Sequence, residues 1–410
     1  MNANKVSIWI AWLLVSLFYA YQYVLRVLPN IVMPEVMQKF EINAEIFGQF
    51  AGIYYLTYAG AHLPIGAWLD HKGPKLVIPI CIILAASGVL PLLYSDSWIM
   101  ACIGRALIGF GSSAAILGLF KVVHLGFEEG KFSRMLGIGV TIGLAGGIYG
   151  GSPVSNMVAK YGYKSVIESI FIIGIILAAV SFFVMPKAKG VRSSNVNFVQ
   201  DFSKLWQIKK VFLIAVLSGL MISPLEGFGD AWGAAFLQTV YSMAKSEATL
   251  LTTLISIGMF IGATLIPYIA DKTKTYYGII IFSAFVMAGA FITLLVPYKL
   301  DFTMLQIMFF VIGLLSSYQI LAVYKSTTYV KEGLVGITTA TVNMIIMPFG
   351  YLFHSAIGKI LNLTWDGQII DGIRVYNAHS FLYGIAIIPI TLIIGGIGFI
   401  WLRSQPKAQH

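Results

Sequence analysis

Residues 108–121 read IGFGSSAAILGLFK, and residues 312–325 read IGLLSSYQILAVYK. At an offset of 204 they share Ile108/Ile312, Gly109/Gly313, Ser112/Ser316, Ser113/Ser317, Ile116/Ile320, Leu117/Leu321 and Lys121/Lys325. Apolar helices often match by composition alone, but composition does not supply two Ser-Ser pairs and two matched lysines. We read the two stretches as copies of one helix in a duplicated chain. Outward from them, twelve apolar runs can be traced, near 6–29, 46–69, 75–94, 98–123, 135–158, 165–185, 210–239, 248–270, 276–297, 302–324, 334–358 and 379–402. Each reaches the ~20 residues needed to cross a hydrocarbon core. The matched stretches are then the fourth and tenth runs, one in each half. The expected fold is an all-α membrane protein of twelve transmembrane helices in two six-helix pseudo-symmetric halves. Its expected divisions are 1–185, a polar, basic cytoplasmic linker 186–209, and 210–410. A short amphipathic helix around 198–206 would lie on the membrane.

Composition excludes a soluble domain. The chain is 58% hydrophobic and 11% charged, against roughly 25% charged residues in soluble globular domains. Its 41 glycines suit helices that pack closely in lipid. Cys81 and Cys102 lie inside apolar runs without metal-ligand spacing and read as core thiols. The net charge of +10 could point to nucleic acid, but the basic residues are distributed by topology. Counting loops alternately, sixteen of the 27 Lys and Arg fall on the side of the N-terminus and seven on the other. Arg26, Arg105, Lys121 and Lys325 lie within spans or at their ends. The positive-inside rule then makes both termini cytoplasmic, in what we expect to be a bacterial inner membrane, with no nucleic-acid partner. The first run is too long for a signal-peptide core and lacks a small-residue cleavage site, so a retained helix is expected.

Between the second and third runs stands Gly66-Ala67-Trp68-Leu69-Asp70-His71-Lys72-Gly73-Pro74-Lys75. Gly66 would permit close helix approach, Asp70 can accept hydrogen bonds, and Gly73 allows a tight turn. This segment resembles the signature loop of the major facilitator superfamily, with His71 where that family commonly has Arg or Lys. A degenerate copy, Pro267 to Lys274 with Asp271 and Lys272, follows about 201 residues later. Arg105, Gly109 and Gly111 resemble the family's buried-arginine motif. The fifth run, with Gly139, Gly143, Gly146, Gly147, Gly150 and Gly151, is similar to its antiporter-associated glycine motif but lacks the Gly-Pro pairing. The resemblance covers nearly the whole chain. It implies a secondary transporter working by alternating access, with a cavity lined mainly by spans 1, 4, 7 and 10. The stretch Tyr21-Gln22-Tyr23-Val24-Leu25-Arg26 also resembles the lysosomal dipeptide-transporter branch and its bacterial relatives.

Ionisable residues inside a bilayer are costly and are functional candidates by default. In the first span Tyr19, Tyr23, Arg26 and Asn30 share a helical face, with Gln22 beside them. The Arg26 fork suits a carboxylate; alternatively it snorkels or ties helices together. In the seventh span Glu226 and Asp230 share a face near Ser223, and Pro224 and glycines break the helix. One of them binds a proton or a substrate amine, or else Glu226 neutralises Arg26 as a gating pair. Arg105 reads as a helix tie. Lys121 and Lys325 join Gly66, Asp70, Lys72, Gly73, Lys75, Asp271 and Lys272 as gate or conformational residues. Tyr318, Gln319 and Asn343 are cavity-lining candidates, while His62 and His354 read as hydrogen-bonded packing residues. Asn362-Leu363-Thr364 matches a glycosylation sequon.

No Walker loop, HExxH, GxSxG or paired-cysteine site occurs in the chain, so neither ATP-driven transport, a metal, a cofactor nor an enzyme is expected. The expected function is movement of a small carboxylate-bearing solute (amino acid, dipeptide or organic acid), with proton symport as one form. The alternatives are export of phosphorylated or drug-like compounds, and a channel. A monomer is expected, with the lipid bilayer and a small-molecule substrate as its partners.

Overall fold

A computed structural model describes residues 3–186, 208–296, 300–330, 334–370 and 373–405. The expected amphipathic segment at 198–206 lies outside the described residues. The chain divides into two compact units, residues 1–42 with 53–194, and residues 43–52 with 195–410.

Among the described residues, six helices belong to the first half of the chain: α1 (Ala3–Phe40), α2 (Ala44–Lys72), α3 (Pro74–Ser87, resumed at Leu90–Tyr94), α4 (Trp98–Gly126), α5 (Glu129–Gly150, resumed at Ser152–Tyr161) and α6 (Tyr163–Val184). Six follow in the second: α7 (Lys209–Met221, Ser223–Trp232 and Gly233–Val240), α8 (Lys245–Thr273), α9 (Tyr276–Leu295), α10 (Phe302–Ser316 and Tyr318–Thr327), α11 (Val335–Ile346 and Pro348–Leu363) and α12 (Ala378–Ile385 and Ile387–Ser404). A hairpin, β1 (Ile369–Ile370) and β2 (Ile373–Arg374), pairs antiparallel between α11 and α12, with Ile369 opposite Arg374.

Eleven of these helices are long and apolar enough to cross a membrane. The exception is α2, whose 29 residues span about 43 Å. Length does not disqualify it. Its middle carries Tyr54, Tyr55, Tyr58 and His62, all buried, and these polar-tipped side chains lower its hydropathy. Large apolar residues on α6 and α12, including Ile172, Ile176, Phe183, Ile390, Ile394 and Ile397, are instead exposed. A water-facing surface would not carry them at this density, whereas lipid accepts them. The chain is a multi-pass membrane protein.

Glycines set the helix spacing in each unit. Gly139, Gly143, Gly146 and Gly150 form one face of α5 against α1, and a Cβ added at Gly146 would collide with the Ala20 carbonyl oxygen. Such stripes let backbones approach in lipid, where the gain comes from packing and not from expelling water. The duplication is also visible in space. A Cβ at Gly109 on α4 would collide with the Tyr54 carbonyl on α2, and one at Gly313 on α10 with the Ile255 carbonyl on α8. The glycines lie 204 residues apart and the carbonyls 201, the same offsets as the repeated helix and the repeated loop.

Proline and special backbone break the helices where polar groups gather. α1 contains Pro29 and Pro34 and kinks at Val32 (φ −104°, ψ 15°), because Pro34 has no N–H for the Asn30 carbonyl. In α7 the α-helix gives way over Ser223–Trp232 to a ten-residue π-helical stretch. In unit 2, the sequon residue Asn362 donates to Glu45 at 3.0 Å and accepts from Arg374 Nη1 at 2.7 Å. Both ends of its amide are therefore already engaged within the fold.

Candidate functional site

In unit 1 the polar side chains of α1, α2 and α4 converge. Arg26 is buried, and its guanidinium carbon lies 5.2 Å from the ring centroids of both Tyr23 and Tyr55. Cation–π contact of this kind contributes roughly 0.5–2 kcal/mol and partly offsets desolvation of the charge. Tyr19 and Tyr23 meet edge to face at 5.4 Å. The Tyr54 hydroxyl donates to Gln22 Oε1 at 2.5 Å, and the Tyr54 ring stacks on Tyr58 at 5.7 Å. Tyr58 in turn packs against His62, whose Nδ1 lies 3.0 Å from the Tyr58 carbonyl. A phenol-lined, cationic cluster thus continues from Arg26 along α2. Tyr54, Tyr55 and Tyr58 do not stand out in the sequence, because within an apolar run tyrosines read as packing. The four-residue spacing of Tyr54, Tyr58 and His62 is the signal that could have found them.

Arg105 does something different. Its Nη1 donates to the Leu25 carbonyl at 2.8 Å and its Nη2 to the Arg26 carbonyl at 3.1 Å. In an unbroken helix the Leu25 carbonyl accepts from residue 29, but residue 29 is proline and has no N–H. Arg105 supplies the missing donor and holds the backbone beneath Arg26. Its guanidinium also lies 5.0 Å from the Tyr54 ring centroid.

Unit 2 shows the same device with another side chain. Where α7 leaves α-helical geometry, the Ile222 N–H bonds the Gly219 carbonyl at 3.4 Å. The buried Tyr318 hydroxyl then donates to the Ser218 carbonyl at 2.8 Å. The Tyr318 hydroxyl is therefore engaged by backbone. Beside it, Gln319 Nε2 is buried and has no hydrogen-bond partner among the described residues; Asn343 is half-buried on α11. Glu226 and Asp230 are both buried in the π-helical stretch, a geometry that recurs at functional sites. In the same stretch Phe228 stacks on Phe309 at 5.5 Å, and Ser223 Oγ lies 3.4 Å from Thr391 Oγ1. His354 is buried on α11, and its backbone carbonyl abuts Gly48.

The signature loop closes the α2 end of unit 1. Asp70 Oδ1 lies 2.6 Å from Lys121 Nζ, which joins the ends of α2 and α4. Gly73 has φ 75° and ends the turn before α3, a backbone conformation that glycine adopts without penalty. Gly66 departs from the expectation of close helix approach: a Cβ there would meet nothing within 4 Å, because it faces a cavity of about 320 Å³ shared with Asp70, Lys121 and Phe132. Lys72 is exposed, and Lys75 lies 5.5 Å from the Phe182 ring. In the second copy of the loop, Asp271 accepts from the Tyr276 hydroxyl at 2.6 Å, and Lys272 is exposed.

Comparison with known proteins agrees with this architecture. A Bacillus subtilis (strain 168) protein described as the uncharacterized transporter YybO is 22% identical over 284 residues, 62% of this chain and 65% of its own length. Among solved structures, a bacterial homolog of the human lysosomal transporter Spinster aligns with TM-score 0.76 at 14% identity, covering 100% of both chains. The nucleoside transporter NupG aligns at 0.73 and 14% identity, covering 99% of this chain and 100% of its own. A D-xylose-proton symporter aligns at 0.69 and 12% identity, covering 96% and 97%. At these identities the structures speak to the fold alone. The sequence profile of the Major Facilitator Superfamily matches residues 12–353, and the chain belongs to that superfamily of membrane transporters.

Proposed function

We propose that the chain moves a small carboxylate-bearing polar solute (an amino acid, a dipeptide or an organic acid) by alternating access, with Arg26 as the anion-binding group. One observation carries this reading: Arg26 is only 6% exposed yet stands between two phenol rings at 5.2 Å. A charge held at this depth is expensive, and a rigid donor fork framed by aromatic faces suits a planar carboxylate. Arg105 fixes the backbone under Arg26, so the fork is preorganised and less binding energy goes into ordering it. Gln22, Tyr19, Tyr23, Tyr54 and Tyr58 supply polar contacts around it, and Gln319 and Asn343 offer further amides on unit 2. Glu226 and Asp230, buried in irregular helix, are the groups assigned to a coupling proton or to the amine of a zwitterionic solute. A buried carboxyl that takes up a proton lowers the cost of its own passage through apolar surroundings.

The test is uptake of labelled amino acids, dipeptides and organic acids into proteoliposomes, with and without an imposed pH gradient. Saturable uptake of one such solute, lost in Arg26→Ala and partly kept in Arg26→Lys, is the expected result. Normal uptake by Arg26→Ala would remove Arg26 from the site. Gradient dependence that disappears in Glu226→Gln or Asp230→Asn would assign the coupling carboxyl. Flux that never saturates would instead indicate a channel.

A further inference from the structure

His62 is the last rung of the α2 ladder, and only one side of its ring is engaged. Its Nδ1 lies 3.0 Å from the Tyr58 carbonyl oxygen. A carbonyl only accepts, so in the neutral ring Nδ1 carries the proton and Nε2 keeps its lone pair. Nε2 has no hydrogen-bond partner among the described residues. Two neighbours share this condition. Gln22 Oε1 accepts from the Tyr54 hydroxyl at 2.5 Å, while Gln22 Nε2 has no partner among the described residues. Nor has the Tyr58 hydroxyl, although its ring lies 4.7 Å from the His62 ring and 5.7 Å from that of Tyr54. Gln22, Tyr58 and His62 are 2%, 7% and 5% exposed, yet none of these three atoms is sealed from solvent.

Polar atoms buried this far are costly to leave unpaired, so their polarity describes what binds them. Gln22 Nε2 only donates, His62 Nε2 only accepts, and the Tyr58 hydroxyl does either. An organic acid whose polar atoms are all carboxylate oxygens satisfies Gln22 but not His62. A single amino acid does supply a donor, but its nitrogen stands only about 2.5 Å from the carboxylate carbon. Tyr55, which Arg26 faces, and His62 share one side of α2 seven residues apart, about 10 Å along the axis. A hydrogen bond of about 3 Å at each end leaves about 4 Å for the solute to bridge. A second residue lengthens the solute by about 3.5 Å. It also brings both missing groups, a carbonyl oxygen and an amine beyond it.

We propose that Gln22, Tyr58 and His62 form a subsite for the amino-terminal half of a dipeptide. Gln22 Nε2 donates to the peptide carbonyl, and His62 Nε2 accepts from the terminal amine. The inference rests on the assignment of the carboxylate to Arg26 and selects among the solute classes proposed there. The amine then has its partner on α2, which leaves Glu226 and Asp230 to the coupling proton.

The test is uptake into proteoliposomes of three labelled solutes: dialanine, alanine and N-propanoylalanine, which is dialanine without its amine. In wild type, dialanine should show the highest kcat/KM. His62→Phe, close to histidine in shape, should lower kcat/KM for dialanine roughly tenfold, the effect of one lost hydrogen bond. It should lower that for N-propanoylalanine far less. His62→Gln, whose side-chain oxygen reaches the place of Nε2, should keep most of the dialanine uptake. All variants would be compared as monodisperse species on size exclusion, which separates lost recognition from lost folding. Equal losses for dialanine and N-propanoylalanine in His62→Phe would make the ring structural and overturn the subsite, as would a wild-type preference for alanine. Arg26→Ala separates the two readings. If it abolishes uptake of all three solutes while His62→Phe fails to discriminate, the anion site stands and the subsite alone falls. Normal uptake by Arg26→Ala, or no uptake of any of the three by wild type, overturns both.

Discussion

Replacing Arg105 with Met tests whether a side chain on α4 stands in for the N–H that Pro29 lacks. The substitution removes two hydrogen bonds, to the Leu25 and Arg26 carbonyls at 2.8 and 3.1 Å, and the contact with the Tyr54 ring at 5.0 Å. Interhelical hydrogen bonds in bilayers average about 0.6 kcal/mol and reach about 1.7. A charged donor belongs at the upper end, so two bonds contribute about 3 kcal/mol. Adding a cation–π contact of about 0.5–1 kcal/mol puts the expected loss at about 3.5–4 kcal/mol. The decisive comparison is a double-mutant cycle with Pro29→Ala. Alanine restores a backbone N–H where the Leu25 carbonyl expects one. Alone it should change stability little, since Arg105 already occupies that carbonyl. In the Arg105→Met background it should recover about 1 kcal/mol. Equilibrium unfolding in mixed micelles, followed by tryptophan fluorescence, reads all four corners. Effects that add to within about 0.5 kcal/mol would refute the substitution of side chain for backbone donor.

Three further outcomes follow from the geometry. Gly146→Ala sets a methyl against the Ala20 carbonyl and should cost about 1–3 kcal/mol. Gly137→Ala on the same helix meets open space and should be neutral or stabilising in the same assay. Asp70→Asn breaks the pair with Lys121, but the Asp70 side chain is 54% exposed, so stability should fall by at most about 1 kcal/mol; a larger fall would mean the loop is a structural clamp. Tyr376, between the spans, accepts a hydrogen bond from the Ala44 N–H at 2.9 Å, and burial holds its phenol above its ordinary value. Its contribution to stability is therefore full below the unfolded tyrosine value near 10 and is lost as pH rises through the folded value. Ultraviolet titration of Tyr376→Phe should show one late-ionising tyrosine fewer than wild type; an unchanged late phase, with an ordinary phenol lost instead, would contradict this.

The parts of the site differ in how far the sequence shows them. Arg26 stands out because a lone guanidinium in an apolar run has few explanations. Glu226 and Asp230 stand out for the same reason, although their spacing is equally at home in a regular helix and does not announce the π-helical stretch of α7. The α2 ladder was hidden because a tyrosine ring satisfies the hydrophobic pattern whether or not its hydroxyl serves a site. Arg105 could be read as a tie. That it ties to the Leu25 carbonyl, which Pro29 leaves without its helical donor, could not, since Arg105 and Leu25 lie 80 positions apart and nothing in their spacing links them.

The sequence by itself determined that the chain crosses a membrane as about twelve helices and that its halves are copies. Both are properties of the chain's own pattern: transfer of each run into lipid depends on its local composition, and duplication persists as a constant offset. Tertiary structure alone decided which polar groups answer one another. It paired Asp70 with Lys121 but placed Lys325 among three tyrosine rings, and it set the Tyr318 hydroxyl on the Ser218 carbonyl. Hydrogen bonds and ion pairs depend on distances of a few ångströms between residues far apart in sequence, and packing sets those distances only once the helices have met.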